Sequence, residues 1–314
     1  MLKTKIKNLS LPNCLFNASG PLCSTEEDLL KLNESNSSIV LSKSSTISNR
    51  DGNPKPRYYD HDLGSINSMG LPNLGYQFYL SMSDKITKPY FISVSGMTLL
   101  DTITIVQECL KNNDIQGIEI NLSCPNIIGK GQLAYDLPKM DEYLSNIFPY
   151  INNNKNGKLI GLKLVPYFDI HIYSEVCDIL QKYPIDFITC VNSLGNGLII
   201  DYQKEETVIK PKNGMGGIGG KYIKPIALSN VRNFYLEFQK RNLDIDIIGC
   251  GGIETGVDVF EHILAGATMV QVGTQLYREG PEVFVRLQNE LISILKEKNY
   301  NSLSEFRGKL KTIS

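Results

Sequence analysis

The stretch Gly117-Ile118-Glu119-Ile120-Asn121-Leu122-Ser123-Cys124-Pro125-Asn126 is the part of the sequence that says most about the fold. Its first half is short, apolar and rich in isoleucine, which is typical of a buried parallel strand. Its second half is crowded with carboxamide, hydroxyl and thiol groups, which a packed core does not require. Two interpretations are open: Cys124 is a functional group at a strand end, or it is a small buried apolar residue in a turn. The choice between them depends on what the other strand ends carry.

Seven other short apolar runs have the same character, at residues 14–18, 39–42, 90–94, 159–165, 187–191, 245–249 and 269–272. Amphipathic segments between them predict helices, at residues 25–32, 99–111, 140–151, 170–182, 226–241, 257–265 and 282–298. Eight strands that alternate with helices, without a linker between halves, predict an α/β fold of the TIM (β/α)8 barrel type. We expect it to form a single domain over residues 1–314. A doubly wound open sheet is the alternative, but Asn17-Ala18-Ser19-Gly20-Pro21 is not the Gly-rich turn that such a sheet requires.

Two long segments, residues 44–76 and 195–224, have neither a strand pattern nor a helix pattern. Segments of this length within a compact barrel are usually functional, so we expect both to be loop excursions over the C-terminal face. The second contains the run Gly214-Met215-Gly216-Gly217-Ile218-Gly219-Gly220. This run is either a flexible loop or a place where the backbone approaches a cofactor.

Composition excludes several classes of protein. The 314 residues carry a formal net charge of −1, so no strong field attracts nucleic acid or an acidic membrane surface. We expect neither a signal peptide nor a membrane anchor, because no stretch approaches the roughly 18 apolar residues of a spanning helix. The seven cysteines are scattered without a CxxC pair, which argues against a disulfide framework, a zinc site and an iron–sulfur cluster. We therefore expect a cytoplasmic protein whose partner is a small molecule or a second copy of the chain.

The predicted ends of the last two strands are rich in small residues. In a barrel of this type the active site lies at the C-terminal ends of the strands. Gly251-Gly252 and Gly273-Thr274 lie at such ends, where small side chains let backbone N–H groups face a phosphate. The alternative is that these glycines only form turns.

Two lysines, Lys43 and Lys163, lie in or beside apolar runs. Because lysine is seldom fully buried without a partner, an inward-facing lysine at a strand end predicts an anionic partner. Lys163 could offset negative charge on a reduced cofactor ring or form a Schiff base. For both lysines the alternative is a side chain that reaches solvent.

Four asparagines recur at the predicted strand ends or in the loops beside them, at Asn67, Asn121, Asn126 and Asn192. Each carboxamide offers an acceptor and two donors, so a ring of them suits a neutral ligand with alternating C=O and N–H groups, such as a pyrimidine. Turn chemistry explains any one of them but not all four. Among the groups at these ends, Cys124 is then the only good proton acceptor besides the lysines.

The remaining titratable groups give weaker signals. His171 and His262 fall in predicted helices, where we expect them on the surface, and neither lies at a strand end. Without a cluster of histidines or carboxylates we expect no metal site. Glu119 alternates with Ile118 and Ile120 within its strand, and the sequence assigns it no role.

Together these motifs resemble those of the dihydroorotate dehydrogenases, flavoenzymes of pyrimidine synthesis. The resemblance covers nearly the whole chain. Beside the opening stretch its landmarks are Asn17-Ala18-Ser19-Gly20, Asn67-Ser68-Met69-Gly70-Leu71-Pro72-Asn73, Val191-Asn192-Ser193 and Gly249-Cys250-Gly251-Gly252. Cys124 and the run Ile209-Lys210-Pro211-Lys212-Asn213-Gly214 resemble the soluble, homodimeric, fumarate-using class 1A, whereas the membrane-bound branch has Ser as its base. The alternative is the NAD-linked class 1B, which also uses Cys but needs a partner subunit with FAD and an iron–sulfur cluster.

The resemblance implies an FMN enzyme that oxidises (S)-dihydroorotate to orotate in de novo UMP biosynthesis, with Cys124 as general base and fumarate reduced to succinate. The residues implied to contact FMN are Ala18, Ser19, Lys43, Ser44, Asn121, Lys163, Val191, Gly220 and Cys250. Its phosphate would lie on Gly251, Gly252, Gly273 and Thr274. The residues implied to hold dihydroorotate are Lys43, Asn67, Met69, Gly70, Leu71, Asn121, Asn126, Asn192 and Ser193.

Three other functions remain open from the residues alone. A Schiff-base aldolase on the same barrel would use Lys163 as nucleophile, which explains the phosphate site but not the asparagines. A non-catalytic barrel that binds a ligand has no use for Cys124 together with Lys163. Another FMN-dependent pyrimidine reductase would share most of the predicted site.

Overall fold

Eight parallel strands form the centre of the molecule. The computed structural model describes residues 1–124, 131–152 and 154–313. The strands are Leu15–Asn17 (β1), Val40–Leu41 (β2), Tyr90–Val94 (β3), Gly117–Asn121 (β4), Leu159–Lys163 (β5), Phe187–Cys190 (β6), Asp246–Cys250 (β7) and Met269–Val272 (β8). Their order in the sheet is β1-β8-β7-β6-β5-β4-β3-β2, which is a nearly closed barrel. The predicted TIM barrel is therefore confirmed. Both ends of every predicted strand lie within two residues of the observed ends.

The helices that surround the barrel are Glu26–Glu34 (α1), Tyr76–Ser81 (α2), Leu99–Lys111 (α3), Leu137–Asn152 (α4), Ile172–Leu180 (α5), Lys224–Arg241 (α6), Gly256–Ala265 (α7), Thr274–Glu279 (α8) and Val283–Glu297 (α9). All seven predicted helices are present. The two that the sequence did not predict, α2 and α8, have six residues each, which is too short for a helical period to show.

The interior of the barrel is apolar at its lower end and polar above. The lower layer is closed from below by the hairpin of Thr4–Ile6 and Leu9–Leu11. Glycines leave space for its rings, since a Cβ on Gly117 would lie 2.6 Å from the Phe91 ring. The apolar side chains of this layer are Ile6, Leu11, Phe16, Ile39, Leu41, Phe91, Leu159, Phe187, Ile248 and Met269. This packing fills the barrel below the strand ends, and the cavity described below lies above it at the C-terminal face.

The two long excursions contain strands, and the prediction that they have neither strand nor helix is wrong. Tyr58–His61, Gly64–Asn67, Leu194–Gly197 and Gly216–Gly219 form a four-stranded antiparallel sheet beside the barrel mouth. We call it the cap sheet. Gly216–Gly219 is three-quarters glycine, so its sequence shows no alternation of apolar and polar side chains. The middle of the Gly-rich run is thus a strand, and Gly219 at the end of this strand lines the cavity described below, as does Gly220 after it.

No helix in the described part of the chain is long and apolar enough to cross a membrane. The same residues hold no group of three or more His, Cys, Asp or Glu side chains arranged to bind a metal ion. All seven cysteines are described and none forms a disulfide; six are buried and Cys124 is half-buried.

Candidate active site

One cavity of about 350 Å³ opens between the C-terminal ends of the strands and the cap sheet. Every residue that the sequence placed at the site lies on its wall, apart from Asn126, which is outside the described residues. The cap sheet adds Tyr58 and Ser65, and the barrel adds Gln271 and Tyr277, none of which the sequence singled out. Residues from distant parts of the chain therefore meet in one place, although this placement leaves the individual roles as predictions.

Cys124 follows β4 in a short segment. Hydrogen bonds hold this segment to β5 and to Gln132, which precedes α4 in the chain. The N–H of Leu122 donates to the carbonyl of Lys163 at 3.1 Å, and Gln132 donates to the carbonyl of Ser123 at 3.0 Å. These contacts fix the backbone just before the thiol. A thiol on a fixed, half-buried segment at the cavity wall is positioned to exchange a proton with a bound ligand.

Lys43 is nearly fully buried beside this thiol. Burial lowers the pKa of its ammonium group, whereas the negative charges that Cys23 and Cys124 carry when ionised would raise it. Its Nζ donates to the carbonyl of Gly20 at 2.9 Å. The ammonium group thus has one fixed neutral acceptor and has capacity for two further hydrogen bonds, which suits an anionic group of a ligand.

The carboxamide of Asn121 is held in one orientation. Its Oδ1 accepts from the N–H of Ser123 at 3.1 Å and from Nδ2 of Asn192 at 3.3 Å. Its Nδ2 donates to the hydroxyl of Ser44 at 3.2 Å. Asn67 lies on the cap sheet and donates to the carbonyl of Gly217 at 3.2 Å. Three of the four predicted asparagines therefore face one cavity with their amide groups oriented by neighbours.

Lys163 lies at the end of β5 and is 4% exposed. The sequence predicted an anionic partner for it, but its observed partner is a neutral carboxamide: Nζ donates to Oε1 of Gln271 at 2.6 Å. An anionic side chain, Glu119, is connected to Lys163 through this carboxamide, because Nε2 of Gln271 donates to Oε2 of Glu119 at 2.7 Å. Glu119 was missed as a functional candidate, although its spacing of two from Asn121 places both on the inner face of β4.

Glycines at the ends of β7 and β8 and in the cap form a cradle of exposed backbone. Gly251, Gly252 and Gly220 have φ values of +130°, +73° and +70°. A Cβ on Gly252 would collide with the side chain of Lys224, and one on Gly251 would lie 2.9 Å from Cβ of Ala227. Only glycine fits there, so backbone N–H groups remain accessible to an anion such as a phosphate.

His262 supports this cradle from below, and the expectation that it lies on the surface is wrong. Its side chain is fully buried, because α7 is packed on nearly all sides. Its Nε2 lies 3.1 Å from the carbonyl of Gly251, which can only accept, so Nε2 carries a hydrogen and donates it. Burial lowers the pKa of His262 to about 4, so the ring stays neutral at pH 7. A Cβ on Gly249 would collide with Nδ1, which explains the glycine at that position.

Arg278, at the C-terminal end of α8, joins the cap sheet to the barrel. Its guanidinium group donates to the carbonyls of His61 at 2.6 Å and Gly64 at 3.0 Å. It also pairs with Asp60 at 2.9 Å and with Glu254 at 3.2 Å. The sequence had no signal for this contact, because Arg278 and Asp60 are 218 residues apart.

Comparison with known proteins agrees with this arrangement. Residues 1–295 match the family model described as dihydroorotate dehydrogenase. A "Putative dihydroorotate dehydrogenase A (fumarate)" from Streptococcus equi is 51% identical over 313 residues, which cover 98% of this chain and 97% of the relative. The "Dihydroorotate dehydrogenase A (fumarate)" of Lactococcus lactis is 47% identical over 319 residues, with complete coverage of both chains. Among solved structures, ligand-free DHODH from Eimeria tenella superposes with a TM-score of 0.80 at 20% identity, covering 98% of this chain and 91% of that one, which shows the shared fold.

Proposed function

The chain belongs to the dihydroorotate dehydrogenase family of flavin-dependent oxidoreductases, and from this premise we propose that it oxidises (S)-dihydroorotate to orotate with FMN as cofactor and fumarate as electron acceptor. The observation that supports the site assignment most is the shared cavity. The Cys124 thiol lines the same space as two buried lysines, three carboxamides and the glycine cradle. The reaction belongs to de novo pyrimidine synthesis.

FMN is the flavin that fits this cavity best. The cradle of Gly251, Gly252, Gly273 and Thr274 offers a place for one phosphate, and Lys163 lines the same cavity. The volume of about 350 Å³ falls within the usual range for small-molecule sites. A bound flavin supplies the hydride acceptor, which no side chain of the protein can provide.

The chain's own residues bind dihydroorotate and move its proton. Lys43 faces the cavity with hydrogen-bonding capacity for the substrate carboxylate, and Asn67, Asn121 and Asn192 offer donors and acceptors to the pyrimidine ring. Cys124 removes the proton from C5 of the substrate as hydride leaves C6, so that the C5=C6 double bond of orotate forms. The proton is on Sγ at the end of this half-reaction. Asn126 stays a proposed substrate contact, since it lies outside the described residues.

Fumarate is the proposed acceptor because the relatives that match over the whole chain carry it in their names. Fumarate is a small dianion, and the ammonium group of Lys43 can bind a carboxylate of either ligand in turn. One site would then serve dihydroorotate first and fumarate second. The class 1B alternative, which passes electrons to NAD through a partner subunit, has no specific observation in its favour.

Anaerobic stopped-flow spectroscopy tests this proposal. Dihydroorotate should bleach the flavin absorption of the purified protein, and fumarate should then restore it without any partner protein. NAD and a quinone are the matched comparisons, and each should reoxidise the flavin much more slowly. Reoxidation by NAD alone would contradict the fumarate assignment. A colourless protein that borohydride traps through Lys163 in the presence of substrate would indicate the aldolase instead.

A homodimer of cytoplasmic, single-domain subunits is part of the proposal. The hairpin of Ile200–Asp201 and Glu206–Thr207, beside the cap sheet, carries apolar side chains that are largely exposed, including Ile200 at 60% and Tyr202 at 80%. Exposed apolar side chains that cluster in this way favour an interface with another molecule. Light scattering should give twice the chain mass for the wild type and a lower mass for Tyr202→Glu. A wild-type protein that is monomeric at all concentrations would contradict the dimer.

A further inference from the structure

Glu119 is a fully buried carboxylate in the middle of the barrel, and the mechanism above does not use it. It lies on β4 between Ile118 and Ile120, which face outward, and it therefore points into the barrel. It does not line the cavity itself. A charged side chain is seldom fully buried unless it is paired, so this position needs an explanation.

A short chain of hydrogen bonds connects Glu119 to the cavity. Its Oε2 accepts from the hydroxyl of Thr189 at 2.7 Å and from Nε2 of Gln271 at 2.7 Å. Oε1 of the same Gln271 accepts from the ammonium group of Lys163 at 2.6 Å. Gln271 and Lys163 both line the cavity. The carboxylate and the ammonium group are thus joined through one amide.

The charges at the two ends determine which way the amide points. An ionised carboxylate can only accept hydrogen bonds and an ammonium group can only donate them. Gln271 must therefore turn its NH2 group to Glu119 and its oxygen to Lys163. Both donors converge on one oxygen of Glu119, and no hydrogen-bond partner lies at Oε1 in the described part of the chain.

We propose that Glu119 is a positioning residue for the flavin site: its buried negative charge, relayed through Gln271, holds and partly neutralises the ammonium group of Lys163. This inference rests on the proposed function, because it concerns the flavin that the cavity would hold. A flavin ring gains negative charge on reduction, and an ammonium group that lines its cavity favours that charge. A buried counter-charge weakens this effect, since charges interact strongly where water is excluded. Glu119 therefore limits how readily the bound flavin accepts electrons.

Two substitutions separate the charge of Glu119 from its contacts. Glu119→Gln removes the charge and keeps the length and hydrogen-bonding capacity of the side chain. Glu119→Asp keeps the charge and shortens the side chain by one methylene, so the contacts with Thr189 and Gln271 weaken. The measured quantity is the midpoint potential of the bound flavin in each holoenzyme. Thermal unfolding of the cofactor-free proteins verifies that both variants fold.

Glu119→Gln should raise the midpoint potential by about 30 mV or more, which is tenfold in a two-electron equilibrium. Glu119→Asp keeps the negative charge, so it should change the midpoint potential by less than Glu119→Gln does. A role in packing alone would move the unfolding temperature but not the potential. A folded Glu119→Gln protein with the wild-type potential would overturn the inference and leave the proposed function intact. A wild-type protein that binds no flavin would overturn both.

A measurement on the wild type keeps the inference testable if the variants do not fold. Infrared spectra of protein with 13C-labelled glutamate should show only ionised carboxylates at neutral pH. The band of a buried protonated carboxyl group in these spectra would overturn the proposed charge on Glu119. Its absence would support the ionised form.

Discussion

The carboxamide of Asn17 hydrogen-bonds to both backbone groups of Leu41: Nδ2 donates to the carbonyl at 2.7 Å and Oδ1 accepts from the N–H at 2.9 Å. Asn17 ends β1 and Leu41 ends β2, which are the two outer strands of the sheet order. This buried side chain therefore bridges the seam of the barrel, where the N–H of Ser38 also donates to the carbonyl of Leu15 at 2.9 Å. Ala18 and Ser19, the next residues, lie on the cavity wall, so the seam also positions part of the site.

Asn17→Ala should destabilise the protein by about 2–5 kcal/mol, because it leaves a buried N–H and a buried C=O of Leu41 without partners. Denaturant unfolding of the cofactor-free protein measures this change. Asn146→Ala is the matched control: Asn146 also donates to a backbone carbonyl, that of Glu142, but on an exposed helix surface. It should cost about 0.5 kcal/mol or less. Equal effects of the two variants would show that Asn17 does not close the barrel.

Arg278→Lys should loosen the cap sheet, because lysine keeps the charge but cannot bind Asp60, Glu254 and two carbonyls at once. We expect a loss of about 1.5–3 kcal/mol, typical of hydrogen bonds to charged groups, and faster hydrogen exchange in the strands Tyr58–His61 and Gly64–Asn67. Lys221 also pairs with Glu254, at 3.1 Å, but it is half exposed. Lys221→Ala should therefore change little. Exchange rates in the cap sheet that are unaffected by Arg278→Lys would contradict this role.

His262 should make the protein less stable in mild acid. Burial lowers the pKa of His262 to about 4 from its ordinary value of 6.5, with nearby Asp258 and Lys224 acting in opposite directions. Between these values the unfolded chain binds more protons than the folded one, so stability falls as the pH drops from 6.5 to 4. The loss should approach about 3 kcal/mol at pH 4. Unfolding curves of wild type and His262→Gln across this window measure it, with exposed His171→Gln as the control. A slope that persists in His262→Gln would assign the effect to other groups.

Gly252→Ala should destroy the anion cradle. The new Cβ would collide with the side chain of Lys224, and the φ of +73° is unfavourable for alanine. Purified protein should contain little flavin, as its absorption spectrum would show. Gly280→Ala separates the effect of the collision from the effect of the positive φ, because Gly280 has a φ of +77° but open space around its Cβ position. It should cost about 1–2 kcal/mol and retain flavin. Full flavin content in Gly252→Ala would contradict the assignment of the cradle.

The fold can be predicted from the sequence because the barrel strands are short, mostly apolar runs that alternate with amphipathic helices, as Gly117–Asn121 shows. The residues at the strand ends followed from the same pattern, because a barrel places them together. The cap sheet did not, since Gly216–Gly219 lacks side chains that could alternate. Glu119 and Arg278 did not either, because their significance lies in partners such as Gln271 and Asp60, which are 152 and 218 residues away in sequence.

His262 shows a different reason for failure. In an amphipathic helix the polar side chains are expected to face water, and this rule predicts an exposed His262 on α7. In the structure α7 is packed against both α6 and α9, so it has almost no exposed face on which a histidine could lie. The polar ring is tolerated because a backbone carbonyl, that of Gly251, accepts its hydrogen.

The central claim is that Cys124 removes the substrate proton, and the rate of flavin reduction by dihydroorotate in Cys124→Ala tests it most directly. Stopped-flow absorption under anaerobic conditions measures this rate, with Cys177→Ala, a buried cysteine on α5, as the control. The account predicts that Cys124→Ala stays yellow and that its flavin is reduced about 10²–10⁴-fold more slowly than in wild type, while Cys177→Ala keeps the wild-type rate. Reduction of the Cys124→Ala flavin at the wild-type rate would contradict it.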